Sequence, residues 1–181
     1  MIIFGVDPGT QTTGYGIIQF KNNEVGYIKS GIISLKHLDS PTEKIEIIYS
    51  ELSRLIKAYS PDEFAIETAF YGKNIQTAMK LGYVRGVAVL AAVHSSVPSK
   101  EYSPREIKKA ITGKGSASKE QVQYMIQHLL KLEKNFTKLD ESDALAIAIC
   151  HAFKLKTLAH KSSSWKDFIL ANAQFVENLD I

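Results

Sequence analysis

The order of predicted elements is the feature that most constrains the fold of this chain. Three segments of alternating apolar residues come first, at 2–6, 14–20 and 25–35, and short polar turns join them. This pattern is typical of antiparallel strands. Two further short strands are predicted within DEFAIET and VPSKEYS, and helical patterns separate them. Antiparallel strands followed by βαβ units predict an α/β protein with a mixed five-stranded sheet flanked by helices.

Helical periodicity predicts five helices and one main domain. The predicted helices cover residues 40–60, 75–96, 104–112, 119–132 and 142–155. With 181 residues and 45% hydrophobic content, the chain can bury one substantial core. We therefore predict a domain over residues 1–155 and a C-terminal extension over residues 156–181. The extension is predicted to be an amphipathic helix that begins near Ser164.

Composition points to a soluble, cytoplasmic protein. The longest continuous apolar run, GVAVLAAV at 86–93, is too short for a membrane span of about 20 residues. The N-terminus lacks the basic and apolar segments of a secretion signal. Cys150 is the single cysteine, so an internal disulfide is impossible and a reducing compartment fits.

Positive charge is concentrated in one part of the chain. The net charge is only +3, but residues 71–120 contain nine Lys or Arg against three Glu. A basic block that also contains aromatic residues is typical of a surface that binds a polyanion. A solvated basic face without a partner is the alternative.

Four carboxylates mark the ends of predicted elements. Asp7 ends the first strand, Glu67 ends the strand in FAIET, and Asp140 and Asp143 begin the last helix. Because strand ends are where sites gather in such sheets, we expect Asp7 and Glu67 to be adjacent and the last helix to bring its two aspartates across them. Favourable interaction with the helix dipole is the alternative explanation for Asp140 and Asp143.

Converging carboxylates would repel one another and any DNA phosphate, and divalent cations would resolve that conflict. Hard oxygen ligands favour Mg²⁺, and two such ions could promote phosphodiester hydrolysis. The five histidines are scattered along the sequence and offer no comparable cluster for a softer metal. The residues therefore predict a magnesium nuclease with two ions in each site, in which Mn²⁺ is expected to be an effective substitute.

Five segments together resemble the RuvC family of Holliday-junction resolvases. They are FGVDPGTQTTGYGII, FAIETAFYGKN, MKLGYVRGVAVLAAV, ITGKGSASKEQVQ and DESDALAIAICHA. The resemblance covers about residues 1–155. It implies a ribonuclease H-like fold and a homodimer that nicks two like-oriented strands of a four-way DNA junction during recombination and repair. The family's catalytic acids fall on Asp7, Glu67, Asp140 and Asp143.

The resemblance also implies several DNA contacts. Phe70 matches an aromatic residue thought to meet bases near the junction centre, with ordinary packing as the alternative. Lys108 and Lys119 match basic positions near the scissile phosphates, where they would stabilise transition-state charge or add affinity by counterion release. The remaining candidates for backbone contacts are Lys73, Asn74 and Lys114.

Partner contacts are expected at two places. Gly82 and Gly86 lie on the long helix that in the family contributes to the dimer interface, although packing on its own sheet would also explain them. The extension offers an apolar stripe made of Trp165, Phe168, Ile169, Val176 and Leu179. This stripe could dock on its own protomer, on the second subunit or on a branch-migration partner. The family's partner of that kind is the RuvA–RuvB complex.

One motif departs from the family pattern. DESD places Glu141 and Ser142 between the two aspartates, where small apolar residues are more familiar. We expect Glu141 to point to solvent, with substitution for a neighbouring ligand as the alternative.

Three other functions compete with the junction resolvase. They are a nuclease that acts on structured RNA, an actin-like ATPase suggested by DPGT, and a junction-binding module without catalysis. The ATPase requires a second domain, and the catalytically inactive module requires the loss of an acid.

Overall fold

The computed structural model describes residues 1–68, 75–132 and 139–171, with side chains up to residue 157. Its elements, in chain order, are β1 (Ile2–Asp7), β2 (Thr12–Lys21), β3 (Glu24–Ser34), α1 (Pro41–Tyr59), β4 (Glu63–Glu67), α2 (Ile75–His94), β5 (Ser99–Tyr102), α3 (Pro104–Thr112), α4 (Lys119–Leu129) and α5 (Leu139–Ala171). The five predicted strands and the first four predicted helices are confirmed, with boundaries that shift by a few residues, whereas the last helix differs more from its prediction.

The five strands form one mixed sheet in the order β3-β2-β1-β4-β5. β1, β2 and β3 pair antiparallel, as their short connections predicted. β4 pairs parallel with β1 and with β5, and helices make the crossover connections that parallel pairs require. β1 and β4 are therefore neighbours that run in the same direction, and their C-terminal ends lie at the same edge of the sheet.

Side-chain alternation along the strands divides the core into two layers. Phe4, Val6 and Phe64 face α1 and α2, whereas Ile3 and Ala65 face α3, α4 and α5. Because every second residue of a strand faces the same side, Asp7 follows Ile3 and Glu67 follows Ala65 onto the α5 face. Both carboxylates therefore lie on the face of the sheet that α5 covers.

Glycines in β1 and β2 allow α5 to approach the sheet closely. A Cβ atom at Gly14 would lie 2.0 Å from the backbone oxygen of Asp140, and one at Gly16 would lie 2.7 Å from the backbone nitrogen of Leu145. A Cβ at Gly5 would lie 2.3 Å from the oxygen of Ala144. These positions share the α5 face of the sheet, so the first turns of α5 lie against backbone instead of side chains.

A buried polar network holds α5 to the sheet two turns further along. The Tyr102 hydroxyl and Nδ1 of His151 form a hydrogen bond of 2.7 Å, and Nε2 of His151 lies 3.4 Å from a carboxylate oxygen of Glu63. His151 is buried, and this burial lowers the pKa of its imidazole. The network joins α5 to β4 and β5, which fixes the helix relative to the strand that ends at Glu67.

The last helix is longer than predicted. α5 continues through Ser164 to Ala171, so no new helix starts at Ser164 and that prediction is wrong. The apolar stripe of the extension lies outside the side chains that the structure describes. Among the described residues, the helices lack the combination of length and apolar character needed to cross a bilayer.

Candidate active site

Asp7 and Glu67 end adjacent parallel strands. Val6 of β1 is in register with Ile66 of β4, so the next residue on each strand is one of the two acids. A hydrogen bond joins the two carboxyl groups, and burial raises the pKa of both. The predicted pairing of Asp7 with Glu67 is confirmed by this arrangement.

The first turn of α5 brings two more carboxylates to the same edge. Asp7 is in register with Gly14 of β2, against which the backbone of Asp140 lies. Asp143, one helical turn further on, acts electrostatically on both Asp7 and Glu67. The expectation that the last helix would carry both aspartates across the strand ends is therefore confirmed in structure.

The setting of Asp7 and Glu67 strongly perturbs their pKa values. Burial raises the pKa of Asp7 from 3.8 to about 8, and the nearby carboxylates of Glu67, Asp143 and Asp140 add to this shift. Burial also raises the pKa of Glu67, although the hydrogen bond from Asp7 and the charges of Lys119 and Lys108 oppose that effect. A buried carboxyl group with a strongly shifted pKa is typical of a functional site.

Two lysines face the acids across a small pocket. The pocket has a volume of about 220 Å³, and its walls include Glu67, Asp143, Lys108 and Lys119. Nζ of Lys119 lies 3.1 Å from Oδ2 of Asp143, which raises the pKa of the lysine. Lys119 begins α4 next to the Ser118 cap, so its position depends on a well-defined helix start. The two lysines can neutralise and orient a phosphate that lies next to the acids.

The donor set is chemically suited to a hard divalent cation. Clustered carboxylates supply oxygen ligands, and their mutual repulsion would be relieved by added positive charge. Within the described part of the chain, no three His, Cys, Asp or Glu side chains are placed so that they could hold a metal ion as they stand. Instead, Asp7 and Glu67 are joined by a hydrogen bond, and Asp143 forms an ion pair with Lys119.

Glu141 does not point to solvent, and that prediction is wrong. Its Oε1 accepts a hydrogen bond of 2.6 Å from the Ser30 hydroxyl on β3, and the side chain is half-buried. It therefore turns toward the β3 edge of the sheet, where it is satisfied by a hydroxyl. Sequence reasoning missed this contact because Ser30 is 111 residues away along the chain.

The remaining candidate DNA contacts divide into two groups. Phe70, Lys73 and Asn74 lie outside the described residues. Lys114 is exposed in the turn between α3 and α4, where its backbone N–H donates to the Thr112 hydroxyl. It lines a second, open depression together with Tyr124, so it belongs to the surface beside the carboxylates and not to their immediate surroundings.

The mixed sheet, with acids at the ends of β1 and β4 and on a helix that crosses them, defines a ribonuclease H-like nuclease. Comparison with known proteins gives the family. A family model described as "Crossover junction endodeoxyribonuclease RuvC" matches residues 3–151. The chain belongs to this family.

Individual relatives agree with this membership. A crossover junction endodeoxyribonuclease RuvC of Cytophaga hutchinsonii is 41% identical over 178 residues, covering 98% of this chain and 89% of the relative. The structure of Thermus thermophilus RuvC has a TM-score of 0.80 and 27% identity, and covers 87% of this chain and 96% of the other. T. thermophilus RuvC in complex with a Holliday junction substrate has a TM-score of 0.79 and 25% identity, over 87% of this chain and 96% of that chain.

Proposed function

We propose that this protein is a Holliday junction resolvase, an endonuclease that makes paired nicks in four-way DNA junctions during recombination and repair. The observation that carries this proposal is the meeting of Asp7, Glu67, Asp140 and Asp143 at one sheet edge in a chain of the RuvC family. The same fold in T. thermophilus RuvC is known in complex with a Holliday junction substrate, which supports the choice of DNA structure.

The four carboxylates are the proposed catalytic and metal-binding residues. Family membership implies a divalent metal, and the oxygen-only donor set favours Mg²⁺, with two ions per site and Mn²⁺ as a substitute. When bound, such ions supply an activated water and stabilise the leaving 3′ oxygen. Asp7 and Glu67 provide fixed ligands from the sheet, while Asp140 and Asp143 provide ligands from α5.

Lys108 and Lys119 are proposed to bind the phosphate that is cut. Both line the pocket beside Glu67 and Asp143, so a phosphate there would meet two cations within reach of the acids. Lys114 is proposed to contact the backbone of a flanking duplex. Phe70, Lys73 and Asn74 follow Glu67 closely in sequence, and we propose that they contact DNA near the junction centre.

Lys119→Ala is expected to slow junction cleavage by about 10- to 100-fold, because it removes a cation that faces the phosphate-binding pocket. Lys108→Ala is expected to act in the same direction. Each variant should also reduce the slope of log affinity against log salt concentration by about 1. Cleavage rates and binding titrations between 50 and 200 mM salt would measure both effects.

Lys57→Ala is the matched control for these lysines. Lys57 is exposed near the end of α1, which leads into the start of β4 and so lies at the opposite end of that strand from Glu67. It should leave cleavage and the salt slope unchanged. An unchanged cleavage rate in both Lys108→Ala and Lys119→Ala would show that phosphate is held elsewhere.

The outer face of α2 is proposed to form a homodimer interface. Met79, Tyr83, Leu90 and Val93 are all exposed on it, and a Cβ atom at Gly82 or Gly86 would meet nothing within 4 Å. The glycines therefore do not serve packing against the protomer's own sheet. A stripe of apolar side chains around two open glycines favours close contact with a second helix. A two-fold dimer would present two sites to two strands of a junction.

Tyr83→Glu is expected to convert the dimer to a monomer at micromolar concentrations, because it places a charge in the middle of this apolar face. Sedimentation equilibrium would measure the change. Tyr124→Glu is the control, because Tyr124 is similarly exposed but lies on α4, on the opposite side of the sheet. A Tyr83→Glu variant that stays dimeric would exclude this face as the interface.

Cellular context follows from the proposed substrate. An enzyme that resolves junctions works beside the chromosome, so we place the protein in the cytoplasm. Resolution also has to be coordinated with branch migration, for which we propose the RuvA–RuvB complex as partner. Residues 156–181 are proposed as an extension of the nuclease domain that docks on this protomer or on a partner.

The proposed function is tested by incubating the purified protein with a labelled four-way junction, with and without Mg²⁺. A linear duplex and a structured RNA of similar length serve as parallel substrates. Paired, symmetric nicks that require Mg²⁺ and occur only in the junction are expected. Cleavage of the RNA alone would show that the protein is a nuclease for RNA instead of junctions. Binding of the junction without cleavage would indicate a structural role.

A further inference from the structure

The two residues between the site aspartates bind to different neighbours of α5. Glu141 accepts from the Ser30 hydroxyl on β3 at 2.6 Å. The Ser142 hydroxyl lies 3.1 Å from Nε2 of Gln123, which can donate to it from α4, and itself donates to the backbone oxygen of Leu139 at 2.8 Å. The first turn of α5 is therefore tied to the sheet edge on one side and to a helix on the other.

The contact to β3 has a defined direction. Ser30 has a single hydroxyl hydrogen, which it gives to the Glu141 carboxylate, so the Tyr27 hydroxyl 3.0 Å away must donate to Ser30. Ser30 is only 8% exposed, which shields its bond to Glu141 from water. The chain Tyr27–Ser30–Glu141 is thus a directed link from β3 to α5.

The first turn of α5 needs such a link. It carries Asp140 and Asp143 toward Asp7 and Glu67, and like charges at close range push it away from the strand ends. The same turn lies against the backbone of Gly14, where a small movement would displace Asp140 directly. Hydrogen bonds on both sides of the turn oppose that movement.

We propose that Glu141 and Ser142 are positioning residues, which hold Asp140 and Asp143 in register with Asp7 and Glu67 through hydrogen bonds to Ser30 and Gln123. This inference rests on the proposed nuclease function. It assigns to Glu141 a role as a hydrogen-bond acceptor, distinct from a metal ligand and from a source of negative charge. Because this role depends on the acceptor oxygen, Glu141→Gln and Glu141→Ala should differ in their effect on cleavage.

Glu141→Ala is expected to slow single-turnover junction cleavage by about 10- to 100-fold while junction affinity stays the same, because misplaced acids affect the rate and not DNA binding. Glu141→Gln keeps the acceptor oxygen and loses the charge, so its rate should remain within about threefold of the wild type. Ser30→Ala should reproduce the loss, and Ser30→Ala/Glu141→Ala should be no slower than either single variant. Ser34→Ala, at an exposed position on the same strand, is the matched control.

Two results would overturn the proposal. One is wild-type cleavage by Glu141→Ala. The other is an equal loss in Glu141→Gln and Glu141→Ala, which would assign the effect to charge. If Glu141→Ala does not fold, Ser30→Ala breaks the same hydrogen bond from the β3 side and decides the matter.

A second measurement separates failure of the proposal from failure of the proposed function. The melting temperature is recorded with and without Mg²⁺ for the wild type and for Ser30→Ala. A smaller Mg²⁺-induced rise in Ser30→Ala is expected, and it would be visible even if the wild type did not nick junctions. Equal and measurable rises in both proteins would mean that the link does not organise the acids, whereas the absence of a rise in either protein would contradict the proposed metal site.

Discussion

Asp7→Asn is expected to bind a four-way junction as tightly as the wild type and to cleave it at least about 10³-fold more slowly. Asp7 lies at the centre of the carboxylate group, where it hydrogen-bonds to Glu67 and faces the charges of Asp140 and Asp143. Its replacement removes a proposed metal ligand without touching the basic residues that provide affinity for DNA. Gel-shift titration and single-turnover cleavage in Mg²⁺ would measure the two properties separately.

The same substitution is expected to stabilise the metal-free protein, with a defined dependence on pH. The folded protein raises the pKa of Asp7 from 3.8 to about 8. The stability linked to this group is therefore fully present below about pH 4 and is lost as the pH rises through about 8. Asn carries no charge at any pH, so the variant should become more stable than the wild type by several kcal/mol at pH 8 and above.

Urea unfolding in EDTA at several pH values would test this effect. The stability difference between Asp7→Asn and the wild type should widen from pH 4 to pH 8 and then level off. Added Mg²⁺ should stabilise the wild type more than the variant, because it offsets the repulsion that the variant has already reduced. Asp62→Asn is a suitable control, since Asp62 is an exposed acid that accepts from the backbone of Ile2 far from the site edge. A stability difference that does not change with pH would rule out the proposed repulsion, and normal cleavage by Asp7→Asn would reject the metal-site assignment.

The strands and the position of the acids follow directly from local sequence. Asp7 and Glu67 end two predicted strands, and the gathering of sites at strand ends predicts that the two acids are adjacent. The spacing of Asp140 and Asp143 predicts that both lie on one face at the start of a helix. These expectations needed only periodicity and the rule that strand ends gather sites, and the structure confirms them.

Contacts between distant parts of the chain were not predictable in the same way. The bond between Glu141 and Ser30 depends on the register of β3 against β2 and on the rotation of α5, which no local pattern defines. The ion pair of Lys119 with Asp143 likewise depends on how α4 packs beside α5. The sequence did, however, contain a signal for the close packing of α5 on the sheet. Glycines at alternate positions of β2, together with alanines in the last helix, are typical of a helix lying close to a strand.

Gly14→Ala is expected to have the second large effect, a loss of cleavage of about 100-fold with destabilisation by about 2–3 kcal/mol. Its Cβ atom would lie 2.0 Å from the backbone oxygen of Asp140, a distance that no side-chain rotation can relieve. The first turn of α5 must therefore move away from β2, and it carries Asp140 and Asp143 with it. Urea unfolding and single-turnover cleavage, with junction affinity measured in parallel, would detect the two losses.

Gly26→Ala is the matched control for this substitution, because it adds the same methyl group to the neighbouring strand with no atom closer than 3.9 Å. It should change the stability by less than about 0.5 kcal/mol and leave cleavage intact. The comparison isolates the contact between β2 and α5 from the general effect of replacing a strand glycine. Cleavage by Gly14→Ala at the rate of Gly26→Ala would mean that the acids keep their positions when this contact is broken. In that case the links of the turn to Ser30 and Gln123, and the packing of α5 further along the sheet, would be sufficient to hold them.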